Sequence, residues 1–392
     1  MVRSVGAQWS RGLMRAGKAQ QRTTSKLVKQ LGLLAVPLAK PKVRSKPVLK
    51  AVPRARPAAG AAAPAPIRAA AGKALPGQWL TARYVPPTDL MALADVAALA
   101  GRSMNYWLYL PARAPSLSVR QKGWPLVVML HGCEQSATQF AQGTGMNRLA
   151  EQKGFAVLYP QQSLGTHAHR CWKWYDKPTQ DGGGDVRLIV GIIEHVAHNC
   201  PIDRSRIYIG GISAGAGMAN IVALNHPQLI AAVGLHSGPV FGAGHNALGA
   251  LGVMQHGASH RTDSAIAELL ARSPDFPAMP TILIQGEGDR VVRAINQTHL
   301  TRQSLLLNRV PADSAVSVVL KPGGRPGSRN PANAHRISDF RVGKKVLLRV
   351  AQIAHLAHAW SGGDASLAFN AKAGPSASKM MLEFFAQHRR ER

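Results

Sequence analysis

Ser213 is the residue with the clearest capacity for chemistry. It sits in Gly211-Ile212-Ser213-Ala214-Gly215, one residue after the apolar run Ile207-Tyr208-Ile209 and just before the helix-compatible run Met218–Leu224. Glycines on both sides of a serine leave room for a strand to reverse sharply into a helix. Such an elbow holds the hydroxyl exposed above a sheet, at a helix N-terminus. A hydroxyl there can attack a carbonyl, and the helix dipole favours the negative charge that develops. With 38 glycines in the chain, the pentapeptide alone could be a plain Gly-Ser turn. The strand before it and the helix after it are what raise it above that.

A serine nucleophile needs a base to take its proton and an acid to orient the base. The acid candidates lie in Gln285-Gly286-Glu287-Gly288-Asp289, directly after the apolar run Thr281–Ile284. Asp289 is the first choice and Glu287 the alternative. Standing alone, Asp289 would read as a turn-capping carboxylate. The base candidates, His355 and His358, follow the run Val346–Val350; among 15 histidines, either one alone would read as structural. An oxyanion needs two backbone N–H donors. One belongs to Ala214. The other is expected from Cys133 in Leu130-His131-Gly132-Cys133-Glu134-Gln135, where Gly132 lets the backbone approach a substrate. Glu134 places a carboxylate beside that loop, which is unfavourable unless it faces solvent. Trp172, Trp174, Tyr175 and Trp360 are candidate walls of a substrate cleft, with ordinary packing as the alternative. This chemistry needs no metal or organic cofactor. Asp181-Gly182-Gly183-Gly184-Asp185 follows no strand and lacks a Lys-Ser/Thr, so it is no phosphate loop; it reads as the cap of a helix beginning near Val186.

Each of these residues must be carried by an element. Met104–Leu110, Leu126–Leu130, Phe155–Tyr159, Arg206–Ile209, Leu229–Leu235, Thr281–Ile284 and Lys345–Val350 read as strands. Val186–His198 and Ser376–His388 have helical spacing, the latter with Met380, Met381, Phe384 and Phe385 on one face. Continuous apolar strands alternating with helices predict an α/β fold, with a mostly parallel central sheet and helices on both faces. Ligands in such sheets bind at the carboxyl ends of the strands, where every candidate above falls.

At 392 residues and 46% hydrophobic content, the chain can bury a large core. Its net charge of +29 is uneven: no acidic residue precedes Asp89, and that stretch holds 17 Lys or Arg. Segments such as Pro53-Arg54-Ala55-Arg56-Pro57 cannot build a core. Residues 1–78 are therefore expected to be a disordered basic tail and 79–392 a catalytic domain. The tail reads as a solvated leader or linker, or as an adhesive for a polyanion or granule surface. Leu31–Ala39 has the look of a signal-peptide core, behind an n-region of about 30 residues and interrupted by Pro37, so export and cytoplasmic residence both stay open. No segment reaches membrane-spanning length, so no integral membrane anchor is expected. The three cysteines, Cys133, Cys171 and Cys200, have no metal-type spacing. Oligomeric state is not legible.

The motifs taken together resemble a known family. They are His131-Gly132-Cys133-x-Gln135, Cys171-Trp172-Lys173-Trp174, Gly211–Gly215, His236-Ser237-Gly238, the Gly-x-x-Asp289 turn, His358-Ala359-Trp360-Ser361-Gly362-Gly363 and Gly374–Ser378. The set resembles the polyhydroxybutyrate depolymerase family of esterases, whose relatives include feruloyl and acetylxylan esterases, over roughly residues 79–388. The resemblance implies an α/β-hydrolase fold with Ser213 as nucleophile, Asp289 as acid and His358 as base. It favours His358 over His355, because His precedes Ala-Trp-Ser-Gly-Gly in the family motif. It also implies a Cys133–Cys171 disulfide, which would need an oxidising, secreted or periplasmic setting; in the cytosol both cysteines are expected as thiols. Cys200 is left as a buried small apolar residue. Gly-Glu-Gly-Asp replaces the family's more usual Gly-Asp-Ala-Asp, which keeps Glu287 open. The implied activity is a serine carboxylesterase acting on hydroxyalkanoate oligomers or short-chain acyl esters. The alternatives are a feruloyl or acetylxylan-type esterase, an acyltransferase on the same triad, and a polyanion-binding protein working through its tail. No polymer-binding module follows the closing helix, so soluble esters are expected ahead of crystalline polyester.

Overall fold

Aliphatic and β-branched runs bounded by turns become one ten-stranded sheet in the computed structural model. It describes residues 75–87, 101–112, 117–258, 260–311, 314, 316–323 and 334–390. The chain divides into residues 1–74 and 75–392, and the described residues all belong to the second unit. The tail expected over 1–78 and the run Leu31–Ala39 thus lie, up to Ala74, outside the described residues.

The sheet strands are β1 (Gln78–Tyr84), β2 (Met104–Leu110), β3 (Trp124–Leu130), β4 (Ala156–Gln161), β5 (Ile202–Ile212), β6 (Ala232–His236), β7 (Thr281–Gly286), β8 (Val316–Lys321), β9 (His335–Val342) and β10 (Lys345–Ile353). Their spatial order is β1-β2-β4-β3-β5-β6-β7-β10-β9-β8. From β4 to β10 every neighbouring pair is parallel. Antiparallel pairings extend both edges, through β2 and β1 on one side and β9 and β8 on the other. Parallel neighbours need crossovers, and helices supply them. The helices are α1 (Leu117–Lys122), α2 (Ala137–Thr144), α3 (Met146–Lys153), α4 (Lys177–Gln180), α5 (Asp185–Asn199), α6 (Ala214–Asn225), α7 (Ala247–His256), α8 (Thr262–Arg272), α9 (Ile295–Leu307) and α10 (Ala377–Phe385).

The period-two alternation of strand side chains splits the interior into two cores. Leu126, Val128 and Leu130 face one way, against Ile189 and Ile193 of α5 and Met218 and Val222 of α6. Val127 and Met129 face the other way, with Phe140 of α2, Ala150 of α3, and Met381 and Phe385 of α10. Both faces are covered, which is why the central strands read as unbroken apolar runs. α6 is apolar nearly all round and buried along its length, as a helix under the middle of the sheet must be.

The central strands finish at one level. Leu130 lies opposite Gly211, Ile212 opposite His236, His236 opposite Ile284, and Gly286 opposite Ile353. The loops leaving β3, β5, β6, β7 and β10 therefore emerge side by side.

Several expectations need correction. The strand expected over Leu229–Leu235 is β6, Ala232–His236; Leu229 closes a turn onto the His226 carbonyl, so its burial is that of a turn. The closing helix ends at Phe385, with Ser376 as its N-cap; Leu382 joins its buried face, and Met380 is only partly buried. Asp185 does not cap α5: it lies inside the first turn, buried, paired with Arg102 and accepting from Gln162 Nε2 at 2.5 Å. Asp181 pairs instead with Lys177 and does not cap α5 either. Cys200 is partly buried rather than sealed in the core. The β8–β9 edge was not expected: β8 is exposed throughout, and β9 carries no continuous apolar run. Among the described residues no helix is long and apolar enough to cross a membrane.

Candidate active site

β5 ends at Ile212 and α6 begins at Ala214, so Ser213 alone makes the turn, with φ 56° and ψ −126°. A positive φ in a non-glycine residue costs on the order of 1–3 kcal/mol and must be imposed by its surroundings. Here the Ser213 N–H donates to the His236 carbonyl at 3.0 Å, and the Gly217 N–H donates to the Ser213 carbonyl at 3.1 Å. Gly215 cannot be larger: a Cβ would lie 2.2 Å from the Leu130 carbonyl oxygen and 2.4 Å from that of His131. The first turn of α6 is thus pressed against the loop that leaves β3. Cys133 on that loop and Ala214 on the helix, the two expected oxyanion donors, sit on adjacent strand exits.

The β3 exit loop is held from below and from the side. The Gln162 N–H donates to His131 Nε2 at 3.1 Å, so the ring proton is on Nδ1, which donates to the Gly132 carbonyl at 2.8 Å. Burial pushes the His131 pKa down to about 4, against the pull of that carbonyl, so the ring stays neutral. Gln162 in turn donates to Asp185, which explains the buried carboxylate at the start of α5. Trp172 Nε1 donates to the His131 carbonyl at 2.9 Å, the Glu134 N–H donates to the His169 carbonyl at 2.7 Å, and Cys133 and Cys171 are disulfide-bonded. The Glu134 side chain points outward, 41% exposed and 3.5 Å from His169 Nδ1, which removes the expected conflict with a developing oxyanion.

Asp289 follows β7 and is 4% exposed. Its Oδ1 accepts from the Val291 and Val292 N–H groups at 2.9 and 3.0 Å; its Oδ2 accepts from Gln285 Nε2 at 3.1 Å and His358 Nδ1 at 2.8 Å. Burial opposes ionisation, but His358 and the backbone donors outweigh it and hold the carboxyl below its ordinary pKa. An ionised Asp289 can only accept, so the His358 proton facing it is on Nδ1 and Nε2 is left as a base. Glu287 is exposed, as is His355, and neither takes part in this bond. The two loops are locked together: the Glu287 N–H donates to the Ile353 carbonyl and the Gly288 N–H to the Leu356 carbonyl.

A family model described as esterase PHB depolymerase matches residues 104–317, more than half of the chain. The chain belongs to this family. Poly(3-hydroxyalkanoate) depolymerase C of Paucimonas lemoignei is 36% identical to it over 108 residues, 27% of this chain and 26% of that protein. Feruloyl esterase B of Thermothelomyces thermophilus is 34% identical over 120 residues, 30% of this chain and 40% of that protein. The matches thus span well under half the length of these relatives. The structure of an acetyl xylan esterase from Aspergillus awamori aligns with a TM-score of 0.57 at 15% identity, covering 78% of this chain and 99% of that one, and so shares the fold.

Two features of this esterase PHB depolymerase family member depart from the sequence reading. Trp172, Trp174 and Trp360 are 0%, 5% and 1% exposed. Their rings pack inside the molecule rather than forming open cleft walls: Trp360 Nε1 donates to Ser378 Oγ, and Trp174 packs edge-on to Tyr175. Gln285 was not singled out, although it orients Asp289 and also donates to the Val292 carbonyl at 2.9 Å. The available signal was a glutamine at the buried end of Thr281-Ile282-Leu283-Ile284, where an amide must find partners.

Proposed function

We propose that the chain is a serine ester hydrolase in which Ser213, His358 and Asp289 act as nucleophile, base and orienting acid. The observation that carries this is the Asp289–His358 hydrogen bond, at the same sheet end as a serine held at positive φ on a helix N-terminus. Ser213 Oγ attacks the ester carbonyl carbon while His358 Nε2 takes its proton. The N–H groups of Cys133 and Ala214 donate to the resulting oxyanion. The carbon–oxygen bond to the alcohol breaks as His358 returns the proton to the leaving oxygen. Water then attacks the acyl-enzyme, giving its proton to His358; the acid leaves and the proton returns to Ser213. Asp289 stays ionised throughout.

The relatives support hydroxyalkanoate oligomers or short-chain acyl esters as substrates. Acyl groups on plant polysaccharide are the second reading, supported by the feruloyl and acetylxylan esterases among the relatives. The cationic segment up to Ala74 is proposed to serve any contact with polyanions. A nitrophenyl ester chain-length panel, run beside hydroxybutyrate oligomers, methyl ferulate and acetylated xylan, separates the readings. Ser213→Ala is expected to lose on the order of 10⁴-fold in kcat/KM with its melting temperature unchanged. Near-wild-type turnover in that variant would remove Ser213 from the mechanism.

A further inference from the structure

His236, at the last position of β6, is fully buried, and the mechanism above does not use it. It makes two connections. Its backbone carbonyl accepts the Ser213 N–H at 3.0 Å. Its ring Nε2 accepts the Ser361 N–H at 3.3 Å, three residues beyond His358. The ring also stacks on Trp360, with centroids 5.1 Å apart and planes 25° from parallel. Trp360 and Ser361 are themselves anchored, by the Ser378 hydroxyl and by the Pro375 carbonyl. One residue therefore touches the backbone of the nucleophile turn and the segment that carries the base.

The geometry points to His236 as a positioning residue for the proposed triad: a neutral imidazole that fixes the His358 loop against the Ser213 turn, through its carbonyl on one side and its Nε2 on the other. The assignment rests on the proposed triad. An acceptor at Nε2 requires the proton on Nδ1, which faces Ser237 Oγ at 3.2 Å. The ring must not become charged, because a protonated Nε2 could no longer accept from Ser361. Burial, with His358 adding to it and Asp289 opposing, pushes its pKa down to about 3. Across the working range of an ester hydrolase the strut is therefore always neutral.

Two variants separate the acceptor from the packing. His236→Phe keeps a ring against Trp360 and removes the acceptor. His236→Gln removes the ring and keeps an amide oxygen at about the reach of Nε2. We expect kcat to fall about 10²-fold in the Phe variant, with KM within about threefold, since a displaced base acts on the chemical step and not on binding. The Gln variant should retain most of kcat, with an unshifted acid limb in its pH–rate profile. In the wild-type protein, imidazole 15N shifts should show His236 as the Nδ1–H tautomer, with no titration between about pH 5 and 9. The assignment is overturned by wild-type kcat in a folded Phe variant, by equal losses in both variants, or by a His236 that titrates in that range. The NMR reading decides the matter if the Phe variant does not fold. A wild-type protein with no esterase activity would instead overturn the triad, leaving the tautomer result untouched.

Discussion

Only Gly288 separates Glu287 from Asp289, yet their surroundings share nothing. Asp289 accepts four hydrogen bonds in a buried site, one of them from His358, and Glu287 lies in solvent. Asp289→Asn replaces an acceptor with a group that can present N–H to His358 and turn it to the wrong tautomer, so a loss on the order of 10⁴-fold in kcat is expected. Glu287→Gln should stay within a few-fold of wild type. The histidines sort in the same way: His358→Ala should match Ser213→Ala in damage, and His355→Ala, on an exposed side chain, should be mild. Steady-state kinetics on one nitrophenyl ester checks all four. Comparable losses for the members of either pair would undo the assignment of acid or base.

Helix α6 shows how an element is placed by what its glycines exclude. Gly215 lets the first turn meet the backbone of the β3 exit, where nothing flexible can give way. Gly215→Ala should therefore cost about 1–3 kcal/mol or more of stability and displace the proposed oxyanion donors. Gly252 is the contrast. It sits on the exposed side of α7, and a Cβ there would meet nothing within 4 Å. Gly252→Ala should stabilise the protein by about 0.5–1 kcal/mol through helix propensity and a less free unfolded chain. Melting curves of the two variants should move in opposite directions. A destabilising Gly252→Ala would show that α7 carries strain not visible in its contacts.

Across the whole molecule, neutral buried histidines make stability depend on pH. Burial lowers His131 to about 4, His236 to about 3 and His388 to about 4, the last with help from Lys345 and Arg349. For each, the unfolded chain binds a proton near the ordinary histidine pKa of about 6.5 while the folded chain resists it. Their contribution is thus fully present above about pH 6.5 and is lost as pH falls towards about 4. Asp289, with its depressed pKa, acts in the same direction at lower pH. The melting temperature should be level from about pH 7 to about pH 9 and decline steadily below about pH 6.5. His388 offers the sharpest check. Its Nε2 has no hydrogen-bond partner among the described residues, and its ring lies 4.5 Å from that of Phe384. His388→Phe should leave stability near neutral pH equal or higher and flatten the acid decline. An unchanged decline would exclude His388 as a source of it.

The sequence by itself determined the parallel core of the sheet and the stock of reactive residues. Apolar runs such as Leu126–Leu130 and Thr281–Ile284 can only be strands covered on both faces, and Gly-x-Ser-x-Gly after such a run has few other uses. The tertiary structure decided everything that depends on which loops meet. Whether Glu287 or Asp289 faces a histidine, and which histidine, follows from β7 and β10 being neighbours in register, a pairing between segments some 60 residues apart in sequence. That Trp172 and Trp360 pack inward, that Glu134 points to solvent, and that His236 bridges two loops are likewise results of burial. Burial is set by contacts distant in the chain, and local residue patterns do not carry that information.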